Sequence, residues 1–294
     1  MDNRKLTGVI FTVSSAVLYG ISAVLTKYAN AMGLSVAVIL IGIGLSGCVI
    51  SGSVCLVKRI PLRLSKGNVS KVFILGLFGK CLTVILLNNS YLFIPVGTAT
   101  TIHYLYPAIC CIATAVLFKE KVSWVTWLTV ALSFAGMIIM TDNIGGGSVF
   151  GMLLAAGSAF AWVFYMLYFE HSGVFSENKL VIAFYISVII AAFSFVYGAA
   201  AGTLDFTNFG KAIPLLFLIG LLNNCLASVF FQRGVERIGA GLASILSVFE
   251  PISSITFGAL IMKELLTARQ IAGCVIILLA VSFLMITNFR KKNI

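Results

Sequence analysis

The chain has 294 residues, of which 60% are hydrophobic and only 10% charged, with a mean hydropathy of +1.10. A soluble domain carries about 25% charged residues to cover its water-facing surface, so this composition excludes a water-soluble globular fold. The net charge of +11 would suggest a nucleic-acid partner if the basic residues formed one patch, but they are sorted by loop instead.

In chain order, ten apolar stretches run over 7–28, 34–57, 72–93, 97–118, 124–141, 149–169, 179–201, 212–232, 239–262 and 268–288. Each approaches the roughly 20 residues that a bilayer-crossing helix needs, and they are too long and continuous for the strands of a membrane barrel. The class they predict is an all-α polytopic membrane protein with ten transmembrane helices. The first stretch follows Asn3-Arg4-Lys5 without a small-residue cleavage site, so it reads as an uncleaved helix. Short connections such as Ile94-Pro95-Val96 make successive helices antiparallel neighbours, and the one long basic loop is 58–71.

With the N-terminus placed inside, fifteen Lys and Arg fall on cytoplasmic loops. Only Lys27, Lys211, Lys263 and Arg269 fall outside, and Lys80 lies within a span. Such asymmetry sets topology. It predicts both termini in the cytoplasm, the lipid bilayer as surroundings and no nucleic-acid partner; the expected location is the cell membrane of a prokaryote. The seven cysteines lie in apolar spans without CxxC spacing. They read as buried free thiols, and no metal or cofactor is expected.

The chain also repeats itself. Residues 76–123 align with 220–267 at an offset of 144 without a gap: Gly76 falls on Gly220, Cys81-Leu82 on Cys225-Leu226, Pro107 on Pro251, and Lys119-Glu120 on Lys263-Glu264. A weaker match at an offset of 143 sets Gly8 on Gly151, Ser15 on Ser158 and Tyr19 on Trp162. Five spans precede Gly145-Gly146-Gly147 and five follow. An odd number per repeat turns the second half upside down, giving two inverted five-helix repeats over 7–141 and 149–288, with a site expected near the midplane.

The two five-helix repeats, the proline in the fourth helix of each and the Lys-Glu pair that closes it resemble the EamA-type transporters of the drug/metabolite transporter superfamily. The resemblance covers about residues 7–288. It implies a ten-helix carrier that moves small metabolites, commonly outward, by alternating access. In that family the Lys-Glu pairs mark the repeat and do not bind substrate; on chemistry alone they are helix-end ion pairs or caps.

Glu250 is the leading candidate for chemistry. It lies near the middle of the ninth span, where a charge costs about 2.5–3.5 kcal/mol, so it should face a cavity and either pair or take up a proton. It can carry protons, bind a cationic substrate group, or serve as a structural hydrogen-bonding residue. Its repeat counterpart is Tyr106. Pro107 and Pro251 free the carbonyls of His103 and Ser247, which lipid tolerates only beside another donor or a wet cavity. Kinked fourth and ninth spans are therefore expected to meet across the pathway, with His103, Tyr106 and Glu250 facing it and Ser247 at the same level; a packing kink is the alternative. His103 can shuttle protons or meet a carboxylate, or make an ordinary interhelical bond.

Lys80 sits about 12 Å into the third span at 1.5 Å per residue. It can snorkel, bind an anionic group or pair with Glu250. Its counterpart is Asn224. Trp162, Tyr165 and Tyr168 recur every third residue and should share a face, as core packing or as a surface for a cation. Asn88, Asn89 and Gln232 read as interhelical glue. There is no HExxH-like motif and no P-loop, so the chain reads as a gradient-driven carrier and not an enzyme. Its expected partner is a small-molecule substrate, best matched by an amino acid or derivative exchanged or exported against protons, with the protein as monomer or homodimer. The alternative is a channel or a structural protein.

Overall fold

A computed structural model describes residues 3–117, 124–140, 146–247, 249–263 and 266–292. Every regular element among them is helical. Six helical runs are long and apolar enough to cross a membrane: Arg4–Ala31, Val36–Val57, Val69–Ser90, Ser148–His171, Lys179–Ala200 and Phe209–Gly239. The protein is therefore a multi-pass membrane protein. The Lys119-Glu120 pair and Glu264 lie outside the described residues.

The first long runs are α1 (Asn3–Ala31) and α2 (Val36–Val57). Gly33, at φ +89°, ends the turn between them, a backbone conformation that glycine adopts without steric cost. The Ser35 side chain then caps α2 by accepting from Val38 N. The third span is α3 (Val69–Ile74), a π-helical segment Leu75–Cys81, and α4 (Leu82–Ser90). The eighth has the same construction: α10 (Phe209–Gly220), a π-helical segment Leu221–Ala227, and the start of α11 (Ser228–Leu246). Gly239, at φ +76°, breaks α11 at the residue that the repeat aligns with Pro95, so a bend ends the eighth span as a proline ends the third.

The fourth and ninth expected spans differ from a kinked continuous helix, since each stops and restarts. The fourth is α5 (Val96–His103) followed by α6 (Tyr106–Leu117). The ninth is the end of α11 followed by α12 (Phe249–Met262). The prolines thus fall in the first turn of α6 and α12, where the missing N–H has no helical acceptor to lose. Across the second break the Ser247 carbonyl accepts from Glu250 N at 2.9 Å. α7 (Trp124–Met140), α8 (Gly146–His171), α9 (Lys179–Ala200) and α13 (Ala268–Lys292) complete the set.

Packing between the halves is reciprocal. α1 lies along α11 and α12, and its counterpart α8 lies along α4, α5 and α6; α2 packs on α9, and α7 on α13. Exchanging the halves reproduces the same pairs, as a two-fold relation requires. Lipid offers helices no hydrophobic gain on association, so close backbone contact has to hold them. A Cβ at Gly44 would lie 2.7 Å from Ala191 N and 2.8 Å from Ser187 O, so glycine lets α2 and α9 meet backbone to backbone.

Candidate functional site

The four interrupted spans converge on one cavity. Lys80, His103, Trp162, Asn224 and Glu250 line its deep end, and Thr26, Asn88 and Tyr91 line it toward the ends of α1 and α4. Two glycines bring the critical elements close. A Cβ at Gly20 would fall 2.0 Å from Ser253 Oγ and 2.6 Å from Glu250 O, so glycine seats α1 on the first turn of α12. A Cβ at Gly79 would lie 3.0 Å from Tyr165 Cα, so glycine lets the π segment bearing Lys80 rest on α8. A π segment carries an extra residue in the turn and recurs at functional positions.

Lys80 is 2% exposed and does not snorkel. Its Nζ donates to Tyr19 Oη at 3.2 Å and lies 4.3 Å from the centre of the Tyr19 ring and 4.8 Å from that of Trp162. The alternative of reaching the headgroups fails because the cation already has aromatic faces and an oxygen beside it, contacts worth about 2 kcal/mol when desolvated. Tyr19 and Trp162 are the residues that the repeat superposes, and their rings meet edge to face at 5.8 Å. Tyr19 Oη also shares a 3.0 Å hydrogen bond with Ser228 Oγ.

Glu250 is 9% exposed and lines the same cavity. Among the described residues its carboxylate makes no hydrogen bond and no ion pair within 4 Å; Lys80 is close enough to interact with it electrostatically but does not touch it. Its position in the first turn of α12 places it at the positive end of that helix dipole, which favours an anion there. The expected ninth span is interrupted here, so the carboxylate sits at a helix start within the protein.

His103 closes α5 and lines the cavity. Its Nδ1 is 2.8 Å from Ser158 Oγ, whose own hydroxyl donates to Ala155 O at 2.6 Å. The serine has one proton and spends it on the carbonyl, so His103 Nδ1 must carry the hydrogen and Nε2 is the acceptor of the neutral ring.

Other expectations change. Tyr106 is fully buried behind the cavity wall, packed on His103, Tyr104 and Trp162, with no hydrogen bond of good geometry to its hydroxyl. Ser247 also lies off the lining, its hydroxyl donating to Ala243 O at 2.9 Å. The carboxylate of one half and the phenol of the other are equivalent in sequence without sharing the cavity. α5 and α12 do pack together, joined by a Thr100–Ser254 hydroxyl contact. Trp162 and Tyr165 stack at 4.9 Å, and Tyr165 continues onto Phe169 at 6.3 Å. Tyr168 leaves that face to stack on Phe164, because three residues fall 60° short of a full turn at each step.

Gln232 donates to Tyr165 Oη at 3.0 Å and Asn89 accepts from Tyr197 Oη at 3.2 Å, both between helices. Asn88 bonds its own helix at Val84 O and faces the cavity. Sequence reasoning missed Tyr19, Thr26, Thr83 and Tyr91 as lining residues. The one available signal was Tyr19, at the position matched to Trp162.

A model of the EamA-like transporter family matches residues 6–142 and again 149–286. An uncharacterized transporter of Archaeoglobus fulgidus is 22% identical over 90% of this chain and 93% of its own length. The uncharacterized transporter YoaV of Bacillus subtilis is 22% identical over 80% of this chain and 82% of its own. A solved crystal structure, 15% identical, superposes with a TM-score of 0.69 over 96% of this chain and 98% of that one.

Proposed function

This chain belongs to the EamA-like transporter family, and we propose that it is a secondary carrier of a small zwitterionic metabolite, an amino acid or derivative, coupled to protons. In this reading ten spans form two inverted repeats, 7–141 and 149–288, with both termini cytoplasmic in a prokaryotic cell membrane. The charge asymmetry of the loops and the reciprocal packing of the halves support that arrangement.

One observation carries the substrate class: an ammonium and a carboxylate line one cavity without pairing with each other. A cavity that holds opposite charges out of direct contact suits a ligand that brings one of each, its carboxylate to Lys80 and its ammonium to Glu250. Trp162 and Tyr19 shape the wall beside them, and His103 Nε2 offers an acceptor for a further donor. Glu250 is also the group through which a proton is exchanged, since protonation removes the charge that would otherwise be held unpaired. Export follows from the family resemblance; exchange uses the same residues.

The test is a thermal-stabilisation screen of the purified protein against amino acids, their decarboxylated amines and their deaminated acids. Zwitterions should raise the melting temperature and the single-charge analogues should not. Stabilisation by amines or acids alone would refute the two-point reading, and stabilisation by neutral sugars would refute the substrate class.

A further inference from the structure

A second hollow opens on the outer flank, between α3 in the first half and α9 in the second. Its volume is about 250 Å³, and its walls are Val72, Phe73, Val188, Ile189, Ala192 and Phe193. Phe73 and Val188 are exposed. On α9 the wall runs from Tyr185 to Phe193, about 12 Å at 1.5 Å per residue. One leaflet of a bilayer contributes about 15 Å of hydrocarbon, so the crevice covers most of a leaflet's depth.

Its upper end is built differently. Leu64 and Tyr185 line it there, and Tyr185 Oη donates to Leu62 O at 2.8 Å. Glu177 accepts from Ser65 N, Ser65 Oγ and Asn68 Nδ2. These bonds hold the 58–71 segment over the mouth and occupy the nearby acid. Two neighbouring cations are also committed: Lys71 Nζ donates to Ser172 O at 2.8 Å, and Lys179 pairs with Glu236 at 3.2 Å. Arg63 and Lys66, which flank Leu64 and Ser65 in the chain, are exposed and have no partner among the described residues.

We propose that this crevice binds an anionic phospholipid, with an acyl chain between α3 and α9 and the phosphate facing Arg63 and Lys66. The apolar walls alone would take any lipid chain, and the two uncommitted cations over the mouth supply the selection. A cation beside an anionic headgroup is worth about fivefold in binding, so the pair should favour an anionic over a zwitterionic lipid by roughly 25-fold. The bound lipid would sit on the seam between the two halves.

Native mass spectrometry of the detergent-purified protein with equal amounts of phosphatidylglycerol and phosphatidylcholine tests this without reference to transport. Selective retention of phosphatidylglycerol is expected, falling to parity in R63Q/K66Q. A K291Q/K292Q control removes the same charge elsewhere and should retain the preference. A192W, at an exposed wall position, should lose the retained lipid of both kinds. Equal retention by the parent protein, an unchanged preference in R63Q/K66Q, an equal loss in the control, or full retention by A192W would each overturn the proposal.

Discussion

The break in the fourth span and the break in the ninth are the same piece of architecture with different contents. Each is a short helix, a stop and a restart with proline in the first turn. The first presents His103 to the cavity and buries Tyr106; the second presents Glu250. The π segments repeat the contrast, since one holds Lys80 and the other Asn223-Asn224. The scaffold is doubled and the charges are not. A strictly symmetric chain would place like charges face to face near the two-fold axis, and their repulsion would be severe at low dielectric. Divergence between the repeats is what allows one cation and one anion to share the cavity.

The most severe way to break this comparison is to erase its charge. Glu250→Gln should abolish gradient-driven transport in liposomes while insertion and folding persist, because an amide and a neutral carboxylic acid cost similar amounts to bury. Substrate exchange without a gradient survives if Glu250 serves coupling alone and fails if it also binds the substrate ammonium. Full proton-driven transport by the variant would refute both roles. The inversion of the halves has its own all-or-none test. Reporter fusions at Lys66 and Gly146 should report opposite sides, inside and outside respectively, and the same side for both would end the inverted-repeat argument.

Lys80→Asn makes the first π segment resemble the second. Substrate-induced stabilisation should weaken by about tenfold or more in concentration, the scale of one lost charge-assisted contact of 1.5–3 kcal/mol. Unchanged affinity would mean that the asymmetry of the π segments does not serve binding. Ser158→Ala leaves His103 Nδ1–H without its acceptor and should cost about 1–3 kcal/mol of stability. Nitrogen-15 NMR of the parent should show Nδ1 protonated, and an Nε2-protonated ring would contradict the donor order derived from Ser158.

The smallest effect is expected at the surface. Hydrogen bonds from Ser65 and Asn68 hold the Glu177 carboxyl below its ordinary value of 4.5. A lowered folded-state value means that the tether is fully present above about pH 4.5 and is lost as pH falls through the folded value. Protection of the Ser65 amide, with its exchange rate corrected for the intrinsic pH dependence, should therefore fall on acidification, and Glu177→Gln should bring that lower protection to neutral pH. No change in the variant would remove Glu177 as the tether.

Much of this was legible in the residues. Apolar length located the six runs long enough to cross a membrane, the matched prolines located both breaks, and a carboxylate inside an apolar run pointed to Glu250. The form of the breaks was not legible, because a proline is compatible both with a bent helix and with a restarted one, and only packing decides. The π segments have no compositional mark, since one extra residue in a turn leaves hydropathy unchanged. Tyr106 was expected at the cavity because it stands just before Pro107 on the kinked fourth span, but a proline fixes where the helix breaks and not the rotation that buried this ring against Trp162. Thr26, Thr83 and Tyr91 gave no signal, because hydroxyls in apolar helices usually bond their own backbone, as Thr83 does to Gly79 O at 2.7 Å.

The bond from Gln232 to Tyr165 sits beyond Trp162, past the last residue that lines the cavity. The repeats set Asn88 opposite Gln232 and Ser22 opposite Tyr165. A carrier that turned inside out would have to make its mirror closure with a shorter amide and a hydroxyl with no ring to stack. If the proposed carrier works by alternating access, its two closed forms would differ in stability. Each 1.4 kcal/mol of imbalance is a tenfold bias in occupancy, and it taxes the apparent affinity of whichever side is disfavoured. Lengthening Asn88 to glutamine would begin to level the scale.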